Sequence, residues 1–313
     1  MGSYPLEHSL ENMIRAYSDT VSIGISVPPI PQLRSFTDIY LEPLVRDGSL
    51  RRIGEGKYVP ITLGEPSIDL GEIEDFLEHS GADPKRLRFA IAGPLTLASR
   101  VEEGGGGLQG SMLSKKDAVF SFFVPYVKRV VDWASSRGIG YVFLDEPVLG
   151  LMVGRRILFG YTEREILEIY EELLEGLDQE AGLHVCGRIP PLLAEILMRA
   201  PVRYLSLEFH DTAENMGVFT RDRLEESGKV ISPGVVSARS AEVESREEVS
   251  SLLRSLIERF GRDSIDLVSA DCGFGGLKGR DDAYNISLRK LRVISEVVSS
   301  LDERDMRDED LLS

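Results

Sequence analysis

Short apolar runs rich in β-branched and aromatic residues alternate along this chain with longer amphipathic segments, and this alternation constrains the fold more than any other feature. The runs are Val21–Val27, Leu87–Ala92, Gly140–Leu144, Gly182–Val185, Tyr204–Leu207, Val230–Val236 and Asp266–Ala270. Helical patterns lie between them at Lys115–Ser136, Thr162–Leu177, Ile189–Arg199, Arg246–Phe260 and Asp282–Ser299. Strands separated by helices lie parallel, with the helices packed outside. Seven strands are legible, and an eighth closes a barrel, so the expected fold class is α/β, a single (β/α)8 TIM barrel. The eighth strand is sought at the start. Met1-Gly2-Ser3-Tyr4-Pro5 reads as a strand end plus its loop, so the first strand is expected as a stub; an open sheet is the alternative. Arg51–Thr62 reads as a small excursion off the barrel. The four glycines Gly104–Gly107 read as a loop, either a lid or a plain surface connection.

Composition narrows the partners. The 313 residues fit one catalytic domain over 1–313, with an acidic C-terminal tail from about 302 to 313. A net charge of -16 with no basic stripe argues against nucleic acid. No apolar run approaches a membrane span, and no basic-then-apolar leader opens the chain, so no membrane partner and a cytoplasmic location are expected. Two cysteines are too few for a disulfide framework in a chain this long, which leaves metal binding or catalysis as their better use.

Chemistry-bearing residues gather at the C-terminal ends of the expected strands. Tyr141-Val142-Phe143-Leu144 runs into Asp145-Glu146-Pro147, and Gly182-Leu183 into His184-Val185-Cys186. Tyr204-Leu205-Ser206-Leu207 ends in Glu208, and Leu267-Val268-Ser269-Ala270 in Asp271-Cys272. In a barrel these ends share one mouth, where barrel enzymes do their chemistry. His184 and Cys186 are two apart on a strand and so face the same way. With Glu208 and Cys272 they make one imidazole, two thiolates and one carboxylate, a donor set suited to tetrahedral Zn2+. Buried cysteines and a core histidine are the structural alternative, which the joint placement at strand ends disfavours.

These residues resemble the zinc site of cobalamin-independent methionine synthase, specifically its C-terminal catalytic barrel, which some archaea keep as a short stand-alone form. The resemblance runs nearly end to end. Gly2-Ser3-Tyr4-Pro5 is similar to the family's opening loop, Gly93-Pro94-Leu95-Thr96-Leu97 to its Gly-Pro-x-Thr turn, and Asp145-Glu146-Pro147 to its Asp-Glu-Pro motif. Gly234-Val235 is similar to the end of its seventh strand. The resemblance implies about one zinc per chain on His184, Cys186, Glu208 and Cys272. It also implies homocysteine as acceptor, bound by Ser3 and Asp145, and methionine as product; no catalytic residue beyond the zinc site is implied. A carboxylate at Asp145 suits a substrate ammonium by charge-assisted hydrogen bonding, and a structural acid capping its loop is the alternative.

The methyl donor is read from departures. A folate donor leaves as an amine that needs a proton. The family's Gly-Val-x-Asp-x-His stretch is here Gly234-Val235-Val236-Ser237-Ala238-Arg239, with Arg239 where the histidine acid stands, and no aromatic residue follows Gly93-Pro94. Arginine is a poor proton donor. The expectation is therefore a methylcorrinoid donor, either methylcobalamin or a methylated corrinoid protein. A folate donor, or another small thiol as acceptor, is the alternative.

Overall fold

The computed structural model describes residues 2–105 and 107–310, with side chains described as far as Leu301. Helix α1 (Leu10–Ser22) opens the chain, its first turn capped by the Ser9 hydroxyl accepting the Asn12 N–H. Helix α2 (Asp38–Arg46), the antiparallel hairpin β1 (Leu50–Gly54) and β2 (Lys57–Pro60), and α3 (Gly71–His79) follow. The hairpin is the excursion expected at Arg51–Thr62. Next come β3 (Arg88–Ala92), α4 (Pro94–Ser99), α5 (Lys116–Ala118), a π-helical turn at Val119–Phe123, and α6 (Val124–Ser136). The remaining units are β4 (Tyr141–Asp145), α7 (Val148–Met152), α8 (Glu163–Leu174), β5 (Glu180–Val185), α9 (Pro191–Arg199) and β6 (Tyr204–Glu208). Helix α10 (Arg221–Ser227), β7 (Val230–Gly234), α11 (Arg246–Phe260) and α12 (Ala283–Asp310) complete the chain.

Strands β3 to β7 form one parallel sheet in sequence order. Isolated parallel bridges extend it on both sides: Pro29 to Arg88 and Ser3 to Gln32 on one edge, Ile231 to Ile265 and Gly234 to Ser269 on the other. Five strands and three bridged staves make the eight positions of the barrel. The last and first staves meet through loop contacts, where the Phe274 N–H donates to the Ser3 carbonyl (2.9 Å) and the Gly275 N–H to Ser3 Oγ (3.2 Å).

Two expected strands need correction. Val21–Val27 is not a strand: Val21 and Ser22 end α1, and the second stave is the segment 29–32. Pro28, Pro29 and Pro31 have no N–H to give a ladder, so this stave survives only as bridges. Asp266–Ala270 is likewise held by bridges alone, and Leu267 has φ 49, a left-handed backbone that interrupts extended pairing. The acidic tail from about 302 is, in its backbone, the end of α12 as far as Asp310; its side chains and residues 311–313 lie outside the described residues. In the glycine run Gly106 is also outside them, while the N–H groups of Glu103 and Gly104 both donate to the Gly110 carbonyl.

The core lies between the sheet and its helices. Val127, Val130, Val131 and Ala134 of α6, and Ile166, Ile169, Tyr170 and Leu173 of α8, have 0% exposure. Each fully buried Val, Ile or Leu among them contributes roughly 1.5–3 kcal/mol. Two capping boxes, Thr162 with Glu165 and Ser245 with Glu248, fix where α8 and α11 begin. Among the described residues no helix is long and apolar enough to cross a membrane.

One buried carboxylate ties two sequence motifs together. Glu146, with 0% exposure, accepts hydrogen bonds from the Leu95 N–H (3.1 Å), the Thr96 N–H (2.8 Å) and the Thr96 hydroxyl (2.5 Å). The Asp-Glu-Pro loop thereby caps the helix opened by the Gly-Pro turn. Burial outweighs these donors and pushes the Glu146 carboxyl up to about 7. A raised carboxyl stabilises the fold fully below its unfolded value, near pH 4.5, and that contribution is lost as pH rises through about 7. Denaturant titrations at pH 4.5 and 7.5 should show the wild type losing on the order of 3 kcal/mol more than Glu146→Gln. Equal losses would show that the three donors, and not burial, set the state of Glu146.

Candidate functional site

The ladder register decides what meets at the barrel mouth. Asp145 pairs with His184, His184 with Ser206, and Glu208 with Gly234, so these strand ends stand at neighbouring levels. His184 Nδ1 lies 3.0 Å from the Ser206 carbonyl, which can only accept, so this nitrogen carries the proton. The other nitrogen, Nε2, is left with its lone pair facing Cys186 Sγ at 3.1 Å. Cys186 Sγ is 3.5 Å from Cys272 Sγ, and both cysteines are free. The donor atoms of His184, Cys186 and Cys272 all lie within 4.8 Å of one another, forming a group that could hold a metal ion.

Electrostatics single out the two thiols. The hydrogen bond from Cys186 holds Cys272 well below the usual thiol range, against burial and with help from His184. The same contact, and then burial, push Cys186 up. Cys272 is thus the more acidic thiol of the pair. For His184, burial lowers its affinity for a proton, while Cys272 and the charge of Asp145 raise it, with a net rise.

Glu208 does not join this tight group. Its carboxylate is fully buried and accepts from Arg239 Nη2 (2.9 and 3.3 Å) and from the Thr212 hydroxyl (3.1 Å). It remains close enough for its charge to act on Cys186. Asp145 stands at the end of β4 with Oδ1 buried and without a hydrogen-bond partner among the described residues. Ser3 grips the segment after Cys272, accepting Gly275 N–H on its hydroxyl and Phe274 N–H on its carbonyl. A Cβ on Gly273 would fall 2.1 Å from Ser3 Oγ, so this approach requires glycine.

Three supporting residues were not legible as such in the sequence. Asn215, with 0% exposure, accepts the Ile189 N–H and donates to the carbonyls of Gly187 and Glu208, tying the end of β5 to the end of β6. Asp271 accepts the N–H groups of Phe209, His210 and Asp211 and so pins the loop after Glu208. His210, Asp211 and Asp271 also approach one another as a second three-residue group. Both Asp271 oxygens are already committed to the backbone, which makes that group a structural clamp. Lys290 of α12, with 0% exposure, pairs with Glu244, whose Oε1 accepts the Ser237 N–H and steadies the loop carrying Arg239.

This fold and site match known proteins. A family model described as cobalamin-independent synthase, catalytic domain, matches residues 114–296. A methionine synthase of Methanocaldococcus jannaschii is 24% identical over 275 residues, covering 83% of this chain and 80% of that protein. A methionine synthase of Methanothermobacter marburgensis is 23% identical over 321 residues, covering 95% and 98%. Among solved structures, a B12-independent methionine synthase from Shewanella superposes with a TM-score of 0.68 at 16% identity, covering 96% of this chain and 89% of that one. A methyltransferase from Methanosarcina mazei gives 0.61 at 12% identity, covering 94% and 86%. The chain belongs to the cobalamin-independent synthase catalytic-domain family and has its barrel fold. It is a methyltransferase.

Asn215 offers a test of the scaffold. Asn215→Ala removes partners from one buried N–H and two carbonyls without touching a donor atom. Denaturant titration should show a loss of about 2–3 kcal/mol. Metal affinity, followed by competition with a chelator, should weaken roughly 10- to 100-fold. Unchanged metal affinity would separate the bridge from the site.

Proposed function

We propose that this chain transfers a methyl group to the sulfur of L-homocysteine at a zinc centre, giving methionine, with residues 1–313 acting as one catalytic barrel. The observation that carries the proposal is the convergence of His184 Nε2, Cys186 Sγ and Cys272 Sγ beside a buried, unpartnered carboxylate oxygen of Asp145. Tetrahedral zinc with bonds of about 2.3 Å to sulfur sets two thiolates about 3.8 Å apart, close to the 3.5 Å separation here. The donor set, the fixed imidazole tautomer and the lowered pKa of Cys272 all fit that ion. Zinc, when bound, supplies a Lewis acid that lets an acceptor thiol react as thiolate at neutral pH, where a free thiol with pKa near ~8.5 is mostly protonated.

The chain's own residues do the rest. His184, Cys186 and Cys272 hold the ion, and Glu208 is the proposed fourth ligand. Glu208 is the one hard oxygen donor in a soft set, and Arg239 and Thr212 give its carboxylate a second resting place. Asp145 takes the substrate ammonium, which supplies the hydrogen bonds that Oδ1 lacks. The Ser3 hydroxyl accepts from Gly275 and so keeps its own proton free to donate to the substrate carboxylate.

The comparisons do not support the corrinoid donor expected from the sequence. The matching family is described as cobalamin-independent, and a solved structure of the same fold as B12-independent. Arg239 stands where the histidine acid does in the family, and His210, in the loop after β6, lies 2.9 Å from Asp211 and 3.5 Å from Glu244. A methylcorrinoid stays as the second reading on one observation, that Arg239 is engaged with Glu208 and is no proton donor. Methionine formation from methylcobalamin and from methyltetrahydrofolate at equal concentration separates the two. Turnover with the folate alone removes the second reading, and turnover with methylcobalamin alone establishes it.

The acceptor is tested at Asp145. Asp145→Asn keeps the shape of the side chain and removes its charge. The KM for L-homocysteine should rise roughly 10- to 100-fold, with zinc content and thermal unfolding unchanged. An unaltered KM would leave Asp145 as a structural acid.

A further inference from the structure

The barrel wall is discontinuous on one side. The last stave meets the first through loop contacts, and the second stave is broken by Pro28, Pro29 and Pro31. A cavity of about 360 Å³ occupies this seam, beneath α1 and α12. Its outer lining, at Gly24, Ser26 and Ser299, is exposed, and at its inner end stands Arg88, which is 5% exposed. Val27, Leu267, Leu291, Ile294 and Val298 give it apolar walls. The lining hydroxyls of Thr20, Ser269 and Ser295 already donate to the carbonyls of Ala16, Ala270 and Ile23. The carboxylate in the lining, Asp266, accepts the Tyr204 hydroxyl (3.2 Å) and the Leu267 N–H (2.7 Å).

Arg88 opens β3, and its guanidinium lies 3.7 Å from the centre of the Phe143 ring. Phe143 fits there because Gly182 has no side chain; a Cβ would fall 2.2 Å from the ring. A ring face attracts the cation but accepts none of the hydrogen bonds along the guanidinium edge. Arg88 Nε and Nη2 are buried without hydrogen-bond partners, and Arg88 makes no ion pair among the described residues. Asp145 and Cys272 act on it through charge alone. Burial lowers its pKa to about 10, so it is charged at neutral pH. A buried guanidinium without an ion pair is costly to keep, and an anion removes the cost.

We infer that this seam is a binding site for a small monocarboxylic acid with an apolar body, its carboxylate on Arg88 and its body along Leu291, Ile294 and Val298. A single negative charge matches the single guanidinium at the inner end, whereas a dianion such as phosphate would leave charge over among apolar walls. The volume is in the range of small-ligand sites, which are mostly apolar with a few placed polar groups. Asp145, His184 and Cys186 are not in the lining, so this site is separate from the acceptor site and does not rest on the homocysteine reading.

The test is calorimetry on the full zinc-loaded chain with hexanoate, 1-hexanol (the same body without charge) and inorganic phosphate. Hexanoate should bind once per chain, roughly 10- to 100-fold more tightly than 1-hexanol, and excess L-homocysteine should leave it unaffected. Arg88→Met should erase the preference by weakening hexanoate alone, and Arg88→Lys should restore part of it. Val298→Phe, which fills the cavity from α12 and leaves Arg88 in place, should weaken both hexanoate and 1-hexanol. Retained zinc and an unchanged thermal unfolding midpoint show that a variant is folded. Should Arg88→Met fail to fold, the wild-type preference and Val298→Phe decide. Equal binding of hexanoate and 1-hexanol overturns the inference, as does an Arg88→Met protein that keeps the preference or a folded Val298→Phe protein that binds hexanoate normally. Phosphate binding that depends on Arg88, with hexanoate indifferent to it, would assign the seam to a bare inorganic anion and overturns it too. Displacement of hexanoate by homocysteine would merge this site with the acceptor site, with the same result.

Discussion

The site depends on one hydrogen bond, from His184 Nδ1 to the Ser206 carbonyl. It fixes the imidazole tautomer and turns Nε2 toward the sulfurs, which is how a second partner commonly orients a metal-binding histidine. The bond exists because β5 and β6 pair in the register that sets His184 opposite Ser206, and slipping that register by one residue would turn His184 away from the mouth. The register is in turn locked by Asn215 across the two strand ends and by Asp271 beneath the following loop. Packing of the barrel and chemistry of the mouth are therefore one problem: the ladder that buries the core also delivers the donors.

The mouth holds more charge than its protein partners neutralise. Asp145 has a buried oxygen without a partner, Cys272 is held more acidic than an ordinary thiol, and Glu208 leans on an exposed arginine. A folded chain tolerates such groups where a ligand completes them. A soft cation accounts for the sulfurs and imidazole, and a substrate ammonium accounts for the open oxygen of Asp145.

Local signals made much of this legible in the sequence. Strands β3 to β7 fall within about two residues of the apolar runs at their ends, the run of β7 overreaching into Val235 and Val236, and α11 spans Arg246–Phe260 as its pattern indicated. His184 and Cys186 were readable from their two-residue spacing. The flanking staves were misread because prolines at 28, 29 and 31, and the left-handed Leu267, break ladders in stretches that still look apolar. Asn215 and the Arg239–Glu208 pair were hidden for another reason. Each acquires meaning from contacts 26 to 31 residues away, and no local spacing encodes them.

The central claim is that the His184, Cys186 and Cys272 cluster binds zinc and presents it to the acceptor sulfur. Zinc-edge X-ray absorption on the purified protein, with and without L-homocysteine, tests it most directly. The account predicts two sulfur ligands at about 2.3 Å in the resting protein and a third when homocysteine is added, with loss of an oxygen ligand. A zinc shell unchanged by homocysteine, or one without two sulfur ligands at rest, would contradict it.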